Sequence, residues 1–333
     1  MTDYPAGRLK HQSWKKRQVQ AKWRSLLAFF ITLILILALI NGFSRSLSLN
    51  KYFGESNWDS KSSFVAAFLT KPIALLVVQK EPKRITFLTL DEETYLTSGD
   101  SEEPIVKLSS VIDENDGVQL SKILTIAYRT YVGSYVTFKD QKIDEETIKK
   151  WFKQYASILT PLAILTGRYD EAMNTNITRI DQIKLWWQVK GFSIKSVDLV
   201  DLSQYKEELL VSDNQKVLGV DDVVLHQAVK EYLQNLEIEK ENLKIEITNS
   251  TGTPGAGQLA ADFVTSVGGG VVEINTSSSG LDKTFIRTSD ENSYTARYLA
   301  NMFDCGINGA PVNEEGADMT LVVGQDFTAR YFK

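Results

Sequence analysis

The sequence predicts an α/β protein with one N-terminal transmembrane helix, a layered α/β domain and a small C-terminal α/β domain of order β-α-β-β-α-β. Three observations in the 333-residue chain support this prediction. An uncharged apolar run has the length of a membrane span, two further apolar runs have the length of buried strands, and a strand, a glycine-rich turn and a helix follow one another near the C-terminus. The predicted parts are a basic arm at 1–24, the span at 25–43, a juxtamembrane stalk at 44–70, a first exported domain at 71–240 and a second at 241–333.

The apolar run from Ser25 to Phe43 can cross the hydrocarbon core of a bilayer as one helix, at about 1.5 Å per residue. Seven basic residues against Asp3 give residues 1–24 a charge of +6, and this positive-inside pattern keeps the N-terminus in the cytoplasm. A cleaved secretory signal is the alternative, but its apolar segment usually has about 7–15 residues and Asn41–Arg45 is no A-x-A-like site. We therefore expect a single-pass plasma-membrane protein that contacts membrane lipid, with most of the chain outside.

Charge, cysteine and histidine usage exclude several classes of function. The total charge of −5 leaves −11 for residues 25–333, which argues against nucleic acid as a partner because phosphate binding needs a basic surface. Nothing in residues 1–24 resembles a folded DNA-binding domain. Cys305 is the only cysteine, so an intramolecular disulfide and a cysteine-rich metal site are excluded. His226 is the only histidine outside the arm, and we interpret it as structural because no nucleophile motif lies beside it.

The first exported domain begins with a predicted β-hairpin. Its strands are the apolar runs at 72–79 and 85–90, and the turn between them is Lys80–Lys83. Near-continuous hydrophobicity predicts strands that are buried on both faces of a layered domain. Apolar spacing and capping residues then predict helices at 117–131, from Asp144 to a stop at Pro161 and from Thr178 to Gly191, followed by a strand at 193–202.

Trp186 and Trp187 lie in the last of these helices and offer aromatic faces on which a ligand could stack. Adjacent residues are about 100° apart around a helix, so the two rings cannot face the same way. We favour core packing for this pair, because bulky aromatic side chains at helical spacing are usually buried.

The C-terminal domain has a strand at 243–247, a glycine-rich turn at 249–257 and a helix at 258–267. Strands at 271–274, 282–288 and 319–323, with a helix that Ser289 caps and Phe303 ends, complete the split βαβ arrangement. The turn could bind phosphate through its backbone N–H groups, but it lacks the Gly-Lys-Ser/Thr ending of a P-loop. Close packing of strand and helix explains its glycines equally well and is the favoured interpretation. The candidate residues of the turn are Asn249, Thr251, Gly252, Gly255 and Gly257.

Two groups of residues, one at each end of this segment, match a known family in identity and in order. They are Asn249–Gly252 after the strand, Gly255, Gly257 and Ala260 at the start of the helix, and Val322–Phe327 near the C-terminus. They make about residues 242–332 similar to the C-terminal domain of LytR-type envelope proteins. Given this neighbour, residues 71–240 resemble a divergent LytR-CpsA-Psr domain. That family implies an extracytoplasmic α/β/α domain that transfers a glycopolymer from polyprenyl pyrophosphate to peptidoglycan, with arginines, aspartates and a magnesium ion at its site.

The hairpin shows where the sequence departs from that family. The family's Ser-Ile-Pro-Arg-Asp-Thr-Tyr-Val-like stretch corresponds to Thr89–Leu96, in which Glu92 occupies the position of the arginine that would hold pyrophosphate. Lys71-Pro72 stands where a carboxylate is expected, and no Arg-x-Arg with a following Asp and Arg appears. Phosphoryl transfer needs cations that stabilise charge in the transition state. We therefore expect a catalytically silent domain without a cofactor, whose acidic loop Asp91–Glu93 is a solvated turn or, less simply, a divalent-ion contact.

Two functions follow from these observations. The leading hypothesis is a non-enzymatic envelope module that binds cell-wall glycopolymer, peptidoglycan or another envelope protein. The alternative is a divergent, magnesium-dependent phosphotransferase that uses polyprenyl pyrophosphate or phosphate and has rebuilt its site. Such an enzyme must bring at least two arginines and a carboxylate into one cleft beside an apolar tunnel. The candidate ligand-binding residues are Arg84, Arg129, Arg168, Arg179, Asp91 and Glu92.

Overall fold

A computed structural model describes residues 31–32, 54–98, 105–114, 116–170, 172–210, 216–310 and 316–332. The chain divides into a unit of residues 1–55 and a compact unit of residues 56–333, and the architecture that follows is that of the second unit. The predicted span at 25–43 lies outside the described residues except for Ile31 and Thr32, which are helical. Within the described part of the chain, we find no helix with the length and apolar character needed to cross a bilayer.

The first domain contains ten strands and seven α-helices among the described residues. The strands are β1 (Phe64–Lys71), β2 (Ile73–Gln79), β3 (Arg84–Leu90), β4 (Tyr95–Thr97), β5 (Ile105–Lys107), β6 (Ser134–Lys142), β7 (Met173–Thr175), β8 (Val197–Asp201), β9 (Glu207–Leu210) and β10 (Lys216–Gly219). The helices are α1 (Leu108–Glu114), α2 (Gly117–Ala127), α3 (Glu145–Tyr155), α4 (Thr160–Leu165), α5 (Arg179–Val189), α6 (Asp222–Leu233) and α7 (Leu236–Glu241).

The central sheet has the strand order β7-β6-β1-β2-β3-β8. Strand β2 is antiparallel to both of its neighbours, whereas β1 is parallel to β6 and β3 is parallel to β8. The predicted hairpin is confirmed as β2 and β3, and every residue of β2 is buried. This topology places the carboxyl ends of β1, β3, β6 and β8 at one edge of the sheet, where the acidic loop lies. A smaller sheet of order β5-β4-β10-β9 follows the loop.

Apolar clusters cover both faces of the central sheet, as the continuous hydrophobicity of β2 predicts. Leu75 and Val77 point to one face, where they pack with residues of α2 and α6. Leu76 and Val78 point to the other face, where they pack with residues of α3 and α5. Alternate residues of one strand thus enter two cores. The domain therefore has helices on both sides of its sheet, which agrees with the predicted layered α/β fold.

Several predicted boundaries in this domain are corrected. Phe64–Lys71, most of which was assigned to the stalk, forms β1 at the centre of the sheet. The helix that Asp144 caps ends at Tyr155, and Pro161 lies in the first turn of α4, where its missing N–H leaves no hydrogen bond unmade. The helix predicted to 131 ends at Ala127, and the predicted strand at 193–202 is a 3₁₀ turn at Ile194–Ser196 followed by β8. The cap at Thr178 is confirmed, since its hydroxyl accepts the Asp181 N–H.

The C-terminal domain is a five-stranded sheet with helices. Its elements are β11 (Lys244–Asn249), α8 (Ala256–Ser266), β12 (Gly270–Thr276), β13 (Phe285–Thr288), α9 (Tyr294–Phe303), β14 (Gly306–Asn308), β15 (Met319–Val323) and α10 (Gln325–Tyr331), and the strand order is β12-β11-β15-β13-β14. The predicted split arrangement is wrong, because β11 and β12 are direct parallel neighbours with no strand between them. Ser293, rather than Ser289, caps α9, and β14 and α10 are additional to the predicted elements.

Candidate functional site

The acidic loop at the carboxyl edge of the central sheet carries three carboxylates, and each is paired with a different lysine. We name this group the lysine-paired loop. The distances from Nζ to the carboxylate oxygen are 3.0 Å for Lys206 and Asp91, 3.4 Å for Lys71 and Glu92, and 2.5 Å for Lys107 and Glu93. The carboxylates therefore diverge towards separate cations. No group of three or more Asp, Glu, His or Cys side chains in the described part of the chain could hold a metal ion.

The pair formed by Lys71 and Glu92 joins two positions at which the sequence departs from the LytR-CpsA-Psr pattern. Glu92 replaces the expected arginine, and Lys71 lies where the resemblance implies a carboxylate. The two side chains are neighbours in the fold, with 46% and 37% of their surfaces exposed. Relative to the pattern that the resemblance implies, the signs of the charges at these two positions are exchanged. A pyrophosphate placed here would meet the carboxylate of Glu92 at the position where the family offers a cation.

The loop is held by its own hydrogen bonds as well as by the lysines. The Glu93 N–H donates to the Asp91 carboxylate at 3.1 Å, and the Thr94 N–H donates to the Asp91 carbonyl at 3.0 Å. The bond from Glu93, together with the ammonium of Lys206, lowers the pKa of Asp91 below its ordinary value. Asp91 is therefore a fixed anion with two partners. This geometry is that of a paired, solvated turn.

The arginines Arg84 and Arg179 bind different carboxylates away from this loop. Arg84 begins β3, about 20 Å along the strand from its carboxyl end, and its Nε lies 2.8 Å from Asp198. Arg179 begins α5 and binds Asp170 at 2.7 Å. Arg168 is exposed two residues before Asp170. These candidates and the lysine-paired loop are thus distributed over separate places on the domain.

The fourth candidate, Arg129, joins the first domain to the C-terminal domain. Its guanidinium lies 2.6 Å from Asp222 at the start of α6 and 2.7 Å from Asp262 on α8 of the C-terminal domain. Beside it, the hydroxyls of Thr130 and Ser266, both buried, are 3.0 Å apart. We name these five residues the Arg129 joint. Sequence reasoning selected Arg129 as a ligand candidate but missed both of its carboxylate partners, which carry no motif.

Five leucines of the apolar cluster between α2 and the central sheet are close-packed. The side chains of Leu88, Leu90, Leu96, Leu120 and Leu124 are each at most 1% exposed. A tunnel for a lipid chain would leave its lining accessible. A cavity of about 650 Å³ lies instead along α3, and its lining contains none of the six candidate residues. These five side chains therefore line no accessible tunnel.

The structure also tests the interpretations of His226 and of the tryptophan pair. His226 Nδ1 lies 3.0 Å from the carbonyl oxygen of Tyr128, which agrees with a structural role. Trp186 is buried and its indole N–H donates to the Ser157 carbonyl, so core packing is correct for this residue. The same prediction is wrong for Trp187, which is 67% exposed because it follows Trp186 by one helical step.

The polar side chains of the glycine-rich turn bind the turn itself. Asn249 Oδ1 accepts hydrogen bonds from the backbone N–H and the hydroxyl of Thr251, at 3.0 and 2.7 Å. Asn249 Nδ2 donates to the Thr253 carbonyl at 3.0 Å. These bonds use the amide of Asn249 within the turn, and they set the path of the backbone between β11 and α8.

The glycines of this turn serve backbone conformation and close packing. Gly252 and Gly255 have φ values of 77° and 81°, in the left-handed region that glycine adopts without strain. A Cβ on Gly257 would lie 3.1 Å from the Cβ of Asn249 and 3.2 Å from Cγ2 of Ile274. Helix α8 therefore packs closely on the sheet at Gly257. These contacts favour the packing interpretation of the glycines.

Comparisons with known proteins agree with the resemblance of the C-terminal segment. Residues 242–327 match the family described as LytR cell envelope-related transcriptional attenuator. No curated protein sequence matches the chain. Similar solved structures include Bacillus subtilis TagV (12% identity, 52% of this chain, 98% of that chain, TM-score 0.38), TagT bound to LIIa-WTA (14%, 54%, 95%, 0.36) and the transcriptional regulator EF0465 of Enterococcus faecalis (10%, 54%, 90%, 0.40). Residues 242–327 are therefore a LytR-type C-terminal domain of a cell-envelope-related family, as the strand, turn and helix after residue 242 predict.

Proposed function

We propose that this protein is a membrane-anchored cell-envelope protein whose first exported domain is a catalytically silent LytR-CpsA-Psr-like module that binds cell-wall glycopolymer. The match of residues 242–327 to a cell-envelope-related family supports the envelope role. The basic arm and the apolar run at 25–43 support the anchor. The observation that carries the catalytic part of the proposal is the exchanged pair of Lys71 and Glu92.

The exchange matters because a pyrophosphate group needs cations that are free to approach it. Glu92 adds a negative charge at the point where the family supplies a guanidinium. The three lysines of the loop already face carboxylates, and Arg84 and Arg179 bind Asp198 and Asp170. A transferase would need at least two of the candidate arginines and a carboxylate in one cleft, where the cations can bind pyrophosphate. The alternative function therefore has less support than a binding module.

A two-domain module binds a polymer more tightly when the relative position of its domains is fixed beforehand. The Arg129 joint fixes the first domain to α8, so both exported domains present one continuous arrangement to a polymer. A glycopolymer that contacts both domains loses less conformational entropy when the domains are held together beforehand. The proposed role is therefore to hold wall polymer or a wall-bound partner close to the membrane.

The proposal is tested by lipid analysis of the full chain, purified in detergent with magnesium from a host that makes polyprenyl phosphates. Mass spectrometry is expected to find no stoichiometric polyprenyl phosphate or pyrophosphate in the wild type or in Glu92→Gln. The matched control is Glu208→Gln, since Glu208 also forms an exposed pair, with Lys216. One polyprenyl pyrophosphate per chain in the wild type would overturn the catalytically silent domain.

A second measurement tests the binding role itself. Purified cell walls, with and without their attached glycopolymer, are sedimented with the full chain in detergent. The protein is expected to sediment with the complete walls and to remain in solution with the stripped walls. Equal recovery in the supernatant of both samples would contradict glycopolymer binding.

A further inference from the structure

Four large apolar side chains are exposed at the start of α4 and at the end of α5. The exposed fractions are 83% for Ile158, 64% for Leu159, 60% for Leu162 and 67% for Trp187, and we name these residues the apolar patch. Trp186 links the two helices, because its indole N–H donates to the carbonyl of Ser157 at 2.8 Å. The ring of Trp187 lies 5.9 Å from that of Trp186. The patch is thus one surface formed by the start of α4 and the end of α5.

Core packing does not explain why these residues are apolar. Helix α4 buries Thr160 and Ile164, while Leu159 and Leu162 lie on its exposed side. Polar residues at the exposed positions would leave the core contacts of the helix unchanged. Clustered exposed apolar residues mark surfaces that contact a membrane or another molecule.

One cation contacts the apolar patch, and two more lie close to it along the chain. Lys190 Nζ is 3.2 Å from the centroid of the Trp187 ring. Lys153 is exposed in the last turn of α3, and Arg168 is exposed after α4. The nearest acidic side chain after Arg168, Asp170, is bound by Arg179. Tryptophan, leucine and isoleucine bordered by basic residues are typical of surfaces that enter the headgroup region of an anionic membrane.

Residues that follow the predicted span closely in sequence bind the helix that carries Trp187. Ser56 Oγ donates to Asp181 at 2.5 Å, and the Asn57 N–H donates to the same carboxylate at 2.9 Å. Asp181 and Trp187 belong to the same helix, about 9 Å apart along its axis. Residues 44–55 connect the predicted span to Ser56 and extend at most about 40 Å. The segment that follows the predicted span therefore joins the second unit at the helix that carries Trp187.

We propose that the apolar patch inserts into the headgroup region of an anionic lipid bilayer, the one that holds the anchor. This inference rests on the anchored state in the proposed function. The side chains of Leu159, Leu162 and Trp187 enter the interface, and Lys153 and Lys190 lie against lipid phosphates. The contact fixes the orientation of the first domain on the membrane surface and points the remainder of the chain outward.

The test uses the full chain in vesicles of phosphatidylcholine and phosphatidylglycerol, with one environment-sensitive label per molecule. Cys305→Ser removes the native thiol, and Leu162→Cys then carries the label. Leu210→Cys is the matched control, because Leu210 is 68% exposed on β9. Lipids with a nitroxide in the upper acyl chain are expected to quench the label at 162 and to leave the label at 210 unchanged. Trp187→Ala with Lys190→Glu is expected to reduce the quenching at 162.

Three other outcomes would contradict, in turn, the membrane contact of the patch, the anchor and lipid as the molecule that covers the patch. Equal quenching at 162 and 210 in protein that resists extraction by alkaline carbonate would overturn the patch while keeping the anchor. Release of the protein by carbonate would instead contradict the anchor in the proposed function. A label at 162 that is already shielded in detergent and is not quenched in vesicles would show that protein, rather than lipid, covers the patch.

Discussion

The lysine-paired loop and the Arg129 joint use the same chemistry in different surroundings. In the loop, Glu92 and Glu93 have 37% and 64% of their side chains exposed, whereas Arg129 and Asp262 in the joint have 23% and 13% exposed. Water and salt screen an exposed pair, and its net contribution to stability is small. A half-buried cation with two carboxylates is screened less, and removal of the cation leaves two anions side by side. The loop therefore sets surface charge, while the joint holds domains together.

The largest effect is expected for Arg129→Met, which leaves Asp222 and Asp262 without their shared cation. We expect the free energy of unfolding in urea to fall by about 2–3 kcal/mol, since charge-assisted hydrogen bonds are lost and partly buried carboxylates remain. Arg84→Met is the control, because its pair with Asp198 is 40% exposed on both sides. Equal losses of unfolding free energy in the two variants would show that burial does not determine how much each ion pair stabilises the fold.

Asp59 provides an intermediate case, since this partly desolvated carboxylate links the start of the first domain to α9 through a 2.6 Å bond from the Tyr294 hydroxyl. Burial raises the pKa of Asp59, but hydrogen bonds from Tyr294, Ser62 and Lys61 outweigh it and bring the pKa below the ordinary 3.8. Because the folded-state pKa is lowered, the stabilisation is present above pH 3.8 and is lost as the pH falls through the folded-state value. Asp59→Asn is expected to cost about 1 kcal/mol at neutral pH.

The measurement for Asp59→Asn is chemical denaturation of the wild type and the variant from neutral to acidic pH. The difference between the two proteins is expected to stay constant at neutral pH and to shrink below pH 3.8, the ordinary value for this carboxyl. A difference that grows as the solution becomes more acidic would contradict the role assigned to the ionised form of Asp59.

The smallest effect is expected for the exchanged pair. In a double-mutant cycle of Lys71→Met and Glu92→Gln, the coupling energy is expected to be below about 1 kcal/mol, because both side chains are solvated. Added salt is expected to reduce it further. A coupling energy as large as the stability loss in Arg129→Met would show that the exposed pair stabilises the fold as much as the Arg129 joint does. The contrast between the two regions would then be wrong.

The sequence predicts those parts of the fold whose signals are local. The hairpin follows from two apolar runs beside a turn, and the cap at Thr178 follows from its own position before an apolar helix. Strand β1 was missed because Ala66 and Ala67 do not favour strands and because its parallel partner β6 lies far along the chain. The order of the C-terminal strands likewise depends on pairing that no local pattern specifies.

The same contrast between local signals and long-range pairing applies to the candidate site. Glu92 and Lys71 stand out in the sequence as departures from a family pattern, but their 3.4 Å contact depends on the folded sheet edge. Lys206 and Asp262 belong to no motif and lie more than one hundred residues from Asp91 and Arg129, their partners. Charge pairs between distant segments are set by tertiary packing, so a single sequence gives the candidates without their partners.

The pair of Lys71 and Glu92 also affects which single substitutions the loop accepts. Glu92→Arg alone would place two cations where the present pair lies 3.4 Å apart, and Lys71→Asp alone would place two anions there. Either single substitution replaces an attraction with a repulsion, although the two together restore opposite charges. Because both side chains are solvated, each single substitution is expected to cost less than about 1 kcal/mol. The pair therefore restricts substitution at these two positions only weakly.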